Sequence, residues 1–263
     1  MIAIGQTLVI LTAGIDLSCG MVMALGGIVM TKFATDLGLP PALAVLCGVA
    51  VTTLFGLVIG LLVTEVKLPP FIVTLGTLNI VFAITQLYSN SQTVTDLPAL
   101  LTALGNTFVV GGTEVAYGVV LMLALYVLAW FVLRETAAGR HVYAVGNNAE
   151  ATRLVGIPTQ RVLLGVYVMA DVCYGIAALL SVARTGVGDP NAGQTENLDA
   201  ITAVVLGGTS LFGGRGIVLG SLVGARTKAR SFSTTAPSTS RRRSRPAAPA
   251  SKPSTRTWRW HPR

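Results

Sequence analysis

This sequence has few charged residues. Only 11% of its 263 residues are Asp, Glu, Lys or Arg, against about 25% in an ordinary soluble domain. Hydrophobic residues make up 52% of the chain, and its mean hydropathy is +0.69. Several apolar runs approach the roughly 20 residues that a membrane-spanning helix needs. The composition therefore excludes an ordinary soluble protein and predicts an integral membrane protein.

Residues for catalysis and metal binding are also scarce. The sequence has no Gly-x-x-x-x-Gly-Lys-Ser/Thr loop for nucleotide phosphates, so it is not predicted to hydrolyse ATP by that route. Its two histidines, His141 and His261, are far apart and suggest no Ser/His/Asp set. Cys19, Cys47 and Cys173 lie scattered in apolar segments, which is typical of small buried side chains rather than of disulfides or a metal site. We predict no enzyme activity and no cofactor.

The net charge of +8 belongs to the end of the chain. Residues 1–225 hold 8 of the 19 basic residues and all 11 acidic ones, a balance of −3, so residues 226–263 hold the other 11 basic residues and no acid. We therefore predict no nucleic-acid binding, and we divide the chain into a transmembrane domain, 1–225, and a tail, 226–263. The tail is rich in Arg, Ser, Thr, Pro and Ala without apolar periodicity, which predicts disorder.

The tail has two interpretations. It is either a basic arm that binds anionic lipid or a partner, or the product of a frameshift that replaces further membrane helices. The abrupt change of composition at Arg226 favours the frameshift.

Apolar runs predict an all-α, polytopic transmembrane helix bundle with about six to eight membrane segments. The runs are 2–33, 41–63, 71–88, 115–133, 162–183 and 198–225. Glycines interrupt the first and the last run, and such breaks are tolerated only where protein or water covers the backbone. We therefore expect broken or re-entrant helices there. The candidate structural glycines are Gly14, Gly20, Gly207, Gly208, Gly213 and Gly214.

A few polar residues lie inside the apolar runs. Asp16, followed by Ser18, either caps the next helix or lies beside a transport path, since a carboxylate in a membrane usually faces a polar cavity or a partner. Asn79 and Gln86 either face such a path or bond neighbouring helices. Asp171 is a second acid within a span.

The longest polar interval before the tail is 134–161, which carries four arginines against two glutamates. A basic loop between two spans is expected on the cytoplasmic side, with 89–114 and 184–199 outside and 64–69 and the tail inside. Residues 149–155 predict a short amphipathic helix, bounded by Gly146 and Asn147 before it and by Gly156 after it. The loop is either a docking surface or a plain solvated segment.

Four segments together resemble the membrane permease subunits of the ribose/xylose/arabinose family of ABC importers. They are LTAGIDLS at 11–18, LPPFIVTLG at 68–76, GRHVYAVGNNAEA at 139–151 and LDAITAVVLGGTSLFGGRG at 198–216. The resemblance implies a multi-pass permease of the cell (inner or plasma) membrane that translocates a monosaccharide such as ribose or xylose. It also implies three partners: a second permease copy, a cytoplasmic ATPase and an extracytoplasmic sugar-binding protein.

The same resemblance makes 139–156 the segment that couples the permease to the ATPase. The residues that it implies for coupling are Gly139, Arg140, Tyr143, Gly146, Asn147, Ala149, Glu150, Ala151, Arg153 and Gly156. Permeases of this kind usually have a further helix before the first one here and more helices in place of the tail. A truncated, non-functional fragment therefore stays an alternative, as does an ion-coupled secondary transporter or channel that uses Asp16 and Asp171.

Overall fold

The computed structural model describes residues 1–225, and the predicted tail, 226–263, lies outside this part of the chain. The described part is helical apart from one small hairpin. Its helices are α1 (Ile2–Leu11), α2 (Cys19–Thr35), α3 (Pro41–Thr64), α4 (Pro70–Ser89), α5 (Ala99–Thr102), α6 (Tyr117–Glu135), α7 (Ala137–Asn147), α8 (Ala149–Leu154), α9 (Thr159–Thr185) and α10 (Glu196–Leu206). Residues 218–225 are helical as well.

Four of these helices, α3, α4, α6 and α9, are long and apolar enough to cross a membrane. The shorter apolar helices α1 and α2 lie on either side of the predicted break near Asp16, and α10 and 218–225 flank the second predicted break. The predicted all-α, multi-pass bundle with broken helices is confirmed. Prolines begin α3 and α4, where a fixed φ suits the first helical turn and the missing N–H costs no bond.

Helix α9 lies at the centre and packs against α1, α2 and α3. Its inward side buries Tyr167, Asp171 and Tyr174. Two glycines of α3, Gly56 and Gly60, let the helices approach closely, since a Cβ at Gly56 would come within 2.6 Å of Asp171 Oδ2. By contrast, α6 buries only two side chains within the described part and exposes large apolar ones, as a helix that faces lipid does.

One end of the bundle carries more structure than its sequence predicted. The polar interval 89–114 contains α5, a 3₁₀ turn (Ala103–Gly105) and strand β1 (Thr107–Val110), which pairs antiparallel with β2 (Thr113–Ala116). At the same end, Val94 pairs with Gly188, and Gln86 Nε2 donates to Asn191 Oδ1 over 2.8 Å. The turn after α3 and the start of α9 meet at the opposite end, where Gln160 Nε2 donates to the Thr64 carbonyl over 3.4 Å.

Candidate functional site

The predicted coupling segment folds as two helices, of which the sequence predicted only the second. Thr136 caps α7 by accepting a hydrogen bond from Gly139 N (3.3 Å), and Asn148 caps α8 by accepting one from Ala151 N (2.9 Å). The signal for α7 was present in the spacing of Gly139, Val142 and Gly146, which are all buried. Their intervals of three and four residues place them on one helical face.

Helix α8 turns its apolar residues outwards. Thr152 is its one buried side chain, whereas Leu154 is 77% exposed and Val155, directly after the helix, is 76% exposed. Arg153 donates to Glu150 over 2.6 Å, and this hydrogen bond, with the arginine's positive charge, lowers the pKa of Glu150. Large apolar side chains beside a charged pair at the end of a bundle form a surface typical of protein contacts.

The residues implied for coupling fall into two groups. Gly139, Tyr143 and Gly146 face the protein: Tyr143 Oη donates to the Gly216 carbonyl over 2.9 Å, and Gly146 lies against the Leu11 carbonyl. Asn147 is itself exposed, although its backbone lies beside Gly214. The remaining residues are exposed, namely Arg140, Ala149, Glu150, Ala151, Arg153 and Gly156.

Asn148→Ala should loosen α8, because the Ala151 N–H would lose its acceptor at the start of a six-residue helix. The loss of an N-cap costs about 1 kcal/mol, so we expect amide hydrogen exchange across 149–154 to accelerate about fivefold. Asn148→Ser and Asn148→Asp keep an acceptor oxygen and serve as controls. Equal exchange rates in all three variants would contradict a capping role.

The buried polar residues gather where α1, α3 and α9 meet. Asp16 is fully buried, and its Oδ1 accepts hydrogen bonds from Ser18 N (2.8 Å) and Ser18 Oγ (2.6 Å). Asp16 thus fixes Ser18, the residue before α2, by accepting hydrogen bonds from it, and does not accept from the first amides of the helix. The sequence did not point to Gln6 or Tyr174, although Tyr174 Oη donates to Gln6 Oε1 over 3.3 Å. Within the described residues, several polar atoms here have no hydrogen-bond partner, namely Gln6 Nε2, Asp16 Oδ2 and both carboxyl oxygens of Asp171.

The four residues proposed for a substrate path are not brought together. Asp16 and Ser18 lie in the buried cluster, whereas Asn79 is exposed on α4 and donates to the Leu75 carbonyl of its own helix over 2.9 Å. Gln86 reaches the Asn191 side chain at the end of the bundle that carries the hairpin. Within one copy of the described chain, these residues therefore line no common channel.

The glycines predicted at the breaks lie at close packing contacts or in left-handed turns. Gly20 approaches the backbone of Gly193 so closely that neither position has room for a Cβ, and Gly207 faces Gly220 in the same way. Gly208, Gly213 and Gly214 have positive φ angles, from 68° to 86°, which favour glycine. Gly14 lies against Tyr167, whose hydroxyl would be 2.8 Å from an added Cβ.

The interval 184–199, which the sequence predicts outside, packs along α2 instead of standing clear of the bundle. Gly188 lies against Thr31, and Gly193 lies against Gly20, so the segment runs beside α2 from Thr31 back to Gly20, which are eleven positions apart. At 1.5 Å of helical rise per residue, this is about 16 Å into the bundle. Helix α10 begins there, and Asn197 Nδ2 donates to the Leu17 carbonyl over 3.2 Å. We call this stretch, which turns back into the bundle, the re-entrant segment; its acidic residues were the reason for predicting an external loop.

Comparison with known proteins agrees with this architecture. A family model described as "Branched-chain amino acid transport system / permease component" matches residues 1–236. The fructose import permease of Rhizobium meliloti is 46% identical over 225 residues, which are 84% of this chain and 62% of the relative. The ribose import permease of Haemophilus influenzae is 37% identical over 228 residues (85% and 69%). An inner membrane ABC transporter permease of Escherichia coli K12 is 38% identical over 225 residues (85% and 68%).

This chain thus spans about three fifths of the fructose permease and somewhat more than two thirds of the other two. No solved structure matches it. The sequence resemblance to sugar-importer permeases is confirmed by these relatives, two of which are named as import permeases for monosaccharides. The chain belongs to the family of membrane transport permeases described as branched-chain amino acid transport system permease components.

Proposed function

We propose that this chain is the membrane-spanning permease subunit of an ABC importer that carries a monosaccharide across the cytoplasmic, or inner, membrane. The likeness to fructose and ribose import permeases carries this proposal. The substrate is a neutral sugar of that class. The described helices suit one, since they carry few ionisable side chains, and the two acids of the buried polar cluster, Asp16 and Asp171, reach no open surface.

ATP hydrolysis is assigned to a separate cytoplasmic subunit, which docks on α8. The outward-facing Leu154 and Val155 support this assignment, because adjacent large apolar side chains exposed to solvent mark sites of protein contact. Transport follows an alternating-access cycle in which closure of the ATPase moves α7 and α8. A second permease copy completes the path, and a sugar-binding protein delivers the substrate at the end that carries the hairpin.

The docking assignment predicts that Leu154→Asp with Val155→Asp weakens association with the ATPase at least about tenfold, the scale of losing one interface anchor. Co-purification from detergent-solubilised membranes and titration of the ATPase measure this. Val109→Asp is the matched control, since Val109 is 69% exposed but lies on the hairpin at the opposite end of the bundle. Equal loss in the control, or none in α8, would remove α8 as the docking site.

Transport itself is tested in proteoliposomes that contain the permease and its ATPase. The binding protein and labelled sugar are added on the side of the membrane opposite the ATPase. We expect uptake of a monosaccharide that requires ATP and is insensitive to ionophores. Uptake driven by a sodium or proton gradient without an ATPase would replace this proposal with a secondary transporter.

A further inference from the structure

Three segments far apart in sequence meet at one backbone contact, which we call the glycine junction. It consists of residues 11–13 at the end of α1, 146–147 at the end of α7 and 213–214 in the break after α10. Gly214 N donates to the Leu11 carbonyl over 2.9 Å. An added Cβ at Gly146 would collide with that same carbonyl and lie 2.7 Å from Gly214 N.

The junction is packed backbone to backbone, with almost no side chain between the segments. A Cβ at Gly213 would lie 2.7 Å from the Gly146 carbonyl oxygen and 2.8 Å from Ala13 N. A Cβ at Gly214 would lie 2.7 Å from the Asn147 Cα. Backbone contacts of this kind have no rotamer that can yield, so a displacement of one segment is passed to the others rather than absorbed.

From the junction the chain runs into both broken helices. Residues 14–18 lead from Leu11 to Asp16 and Ser18, which hold the start of α2. On the other side, Gly213 follows α10. Asn197, near the beginning of α10, donates a hydrogen bond to the Leu17 carbonyl, close to the start of α2. Tyr143 of α7 ties the coupling segment to the second break again through the Gly216 carbonyl, 2.9 Å away.

We propose that the glycine junction is the positioning element that transmits movement of α7 and α8 to the two broken helices, with Gly146, Gly213 and Gly214 as its essential residues. This inference rests on the proposed function, because it presumes that an ATPase moves α7 and α8. The inference adds the route by which that movement reaches the interior of the bundle. At the end of this route, the starts of α2 and α10 move together.

Gly146→Ala should uncouple ATP hydrolysis from transport. The added methyl group wedges the junction apart but leaves the exposed surface of α8 unchanged. We expect the amount of sugar carried per ATP hydrolysed to fall about three- to thirtyfold, the range found for residues that couple two sites. Gly165→Ala is the control, since its Cβ meets no atom within 4 Å.

Tyr143→Phe is a gentler variant in case Gly146→Ala fails to fold. It removes only the hydroxyl that donates to the Gly216 carbonyl, so coupling should fall about two- to tenfold while the fold is kept. Unchanged transport per ATP in this variant and in a folded Gly146→Ala would overturn the proposal. If the wild type binds no ATPase at all, the proposed function fails instead, which keeps the two failures apart.

Discussion

Gly20→Val should leave little folded protein in the membrane. Gly20 at the start of α2 faces Gly193 backbone to backbone, and a Cβ at either position would collide with the carbonyl group of the other. Neither segment has a flexible side chain that can move aside, so the valine must push the re-entrant segment off α2. Overpacking of this kind costs about 3 kcal/mol at its usual upper end. Membrane abundance and the thermal midpoint in detergent, read by size-exclusion chromatography of a fluorescent fusion, measure the effect.

The control for Gly20→Val is the same substitution at Gly76. Gly76 lies on α4, and an added Cβ there meets no atom within 4 Å, so Gly76→Val should accumulate close to the wild-type level. Gly193→Ala should repeat the defect of Gly20→Val from the other side of the contact. Normal abundance of both variants at the Gly20–Gly193 contact would show that the re-entrant segment does not lie against α2.

Asp16→Ala and Asp171→Asn should differ in their effects on stability, although both remove a buried carboxyl group. Asp16 accepts two hydrogen bonds from Ser18, and its loss leaves a buried N–H and a buried hydroxyl without that acceptor. We expect a cost of about 2–4 kcal/mol, or a thirtyfold or greater shift toward unfolded protein. Asp171 has no hydrogen-bond partner among the described residues. An isosteric amide there should therefore be neutral or stabilising, because a group that can ionise is costly in an apolar interior.

Asp171→Asn also distinguishes two transport mechanisms. Asp171→Asn should keep ATP-driven sugar uptake, since the proposed permease uses no ion at that position. A secondary transporter that binds its coupling ion at Asp171 would lose transport while the variant stays folded. Thermal midpoints and uptake should therefore be measured on the same preparations, and Asp171→Glu can serve as a size control beside the closely packed Gly56.

The long spans were predictable because their apolar character is set by the lipid rather than by particular neighbours. The sequence placed α3 and α4 within a residue or two of their observed ends, with prolines marking each start. Helix α7 was missed because Gly146 was interpreted as the boundary before the 149–155 helix, whereas the structure buries it inside α7 at a close packing contact. The hairpin was missed as well, since its turn, Gly111 and Gly112, lies in a short polar interval without a regular alternation.

For the candidate site, the sequence predicted α8 but not the direction of its apolar residues. That direction depends on the burial of Thr152, which is a tertiary contact. The contacts of Gly20 with Gly193 and of Leu11 with Gly214 could not be predicted from local sequence patterns either. Nothing in the sequence around a glycine indicates which distant segment packs against it. The acids between 184 and 199 suggested an external loop, and only the packing against α2 shows where that segment turns inward.

The contact between α2 and the re-entrant segment can form only late in the synthesis of the chain. Leu17 and Asn197, which share a hydrogen bond, are 180 positions apart. A ribosome that adds 5–20 residues per second needs roughly 9–36 s to make the chain between them. Throughout that interval the start of α2 waits without its partner, although its own helix is already complete.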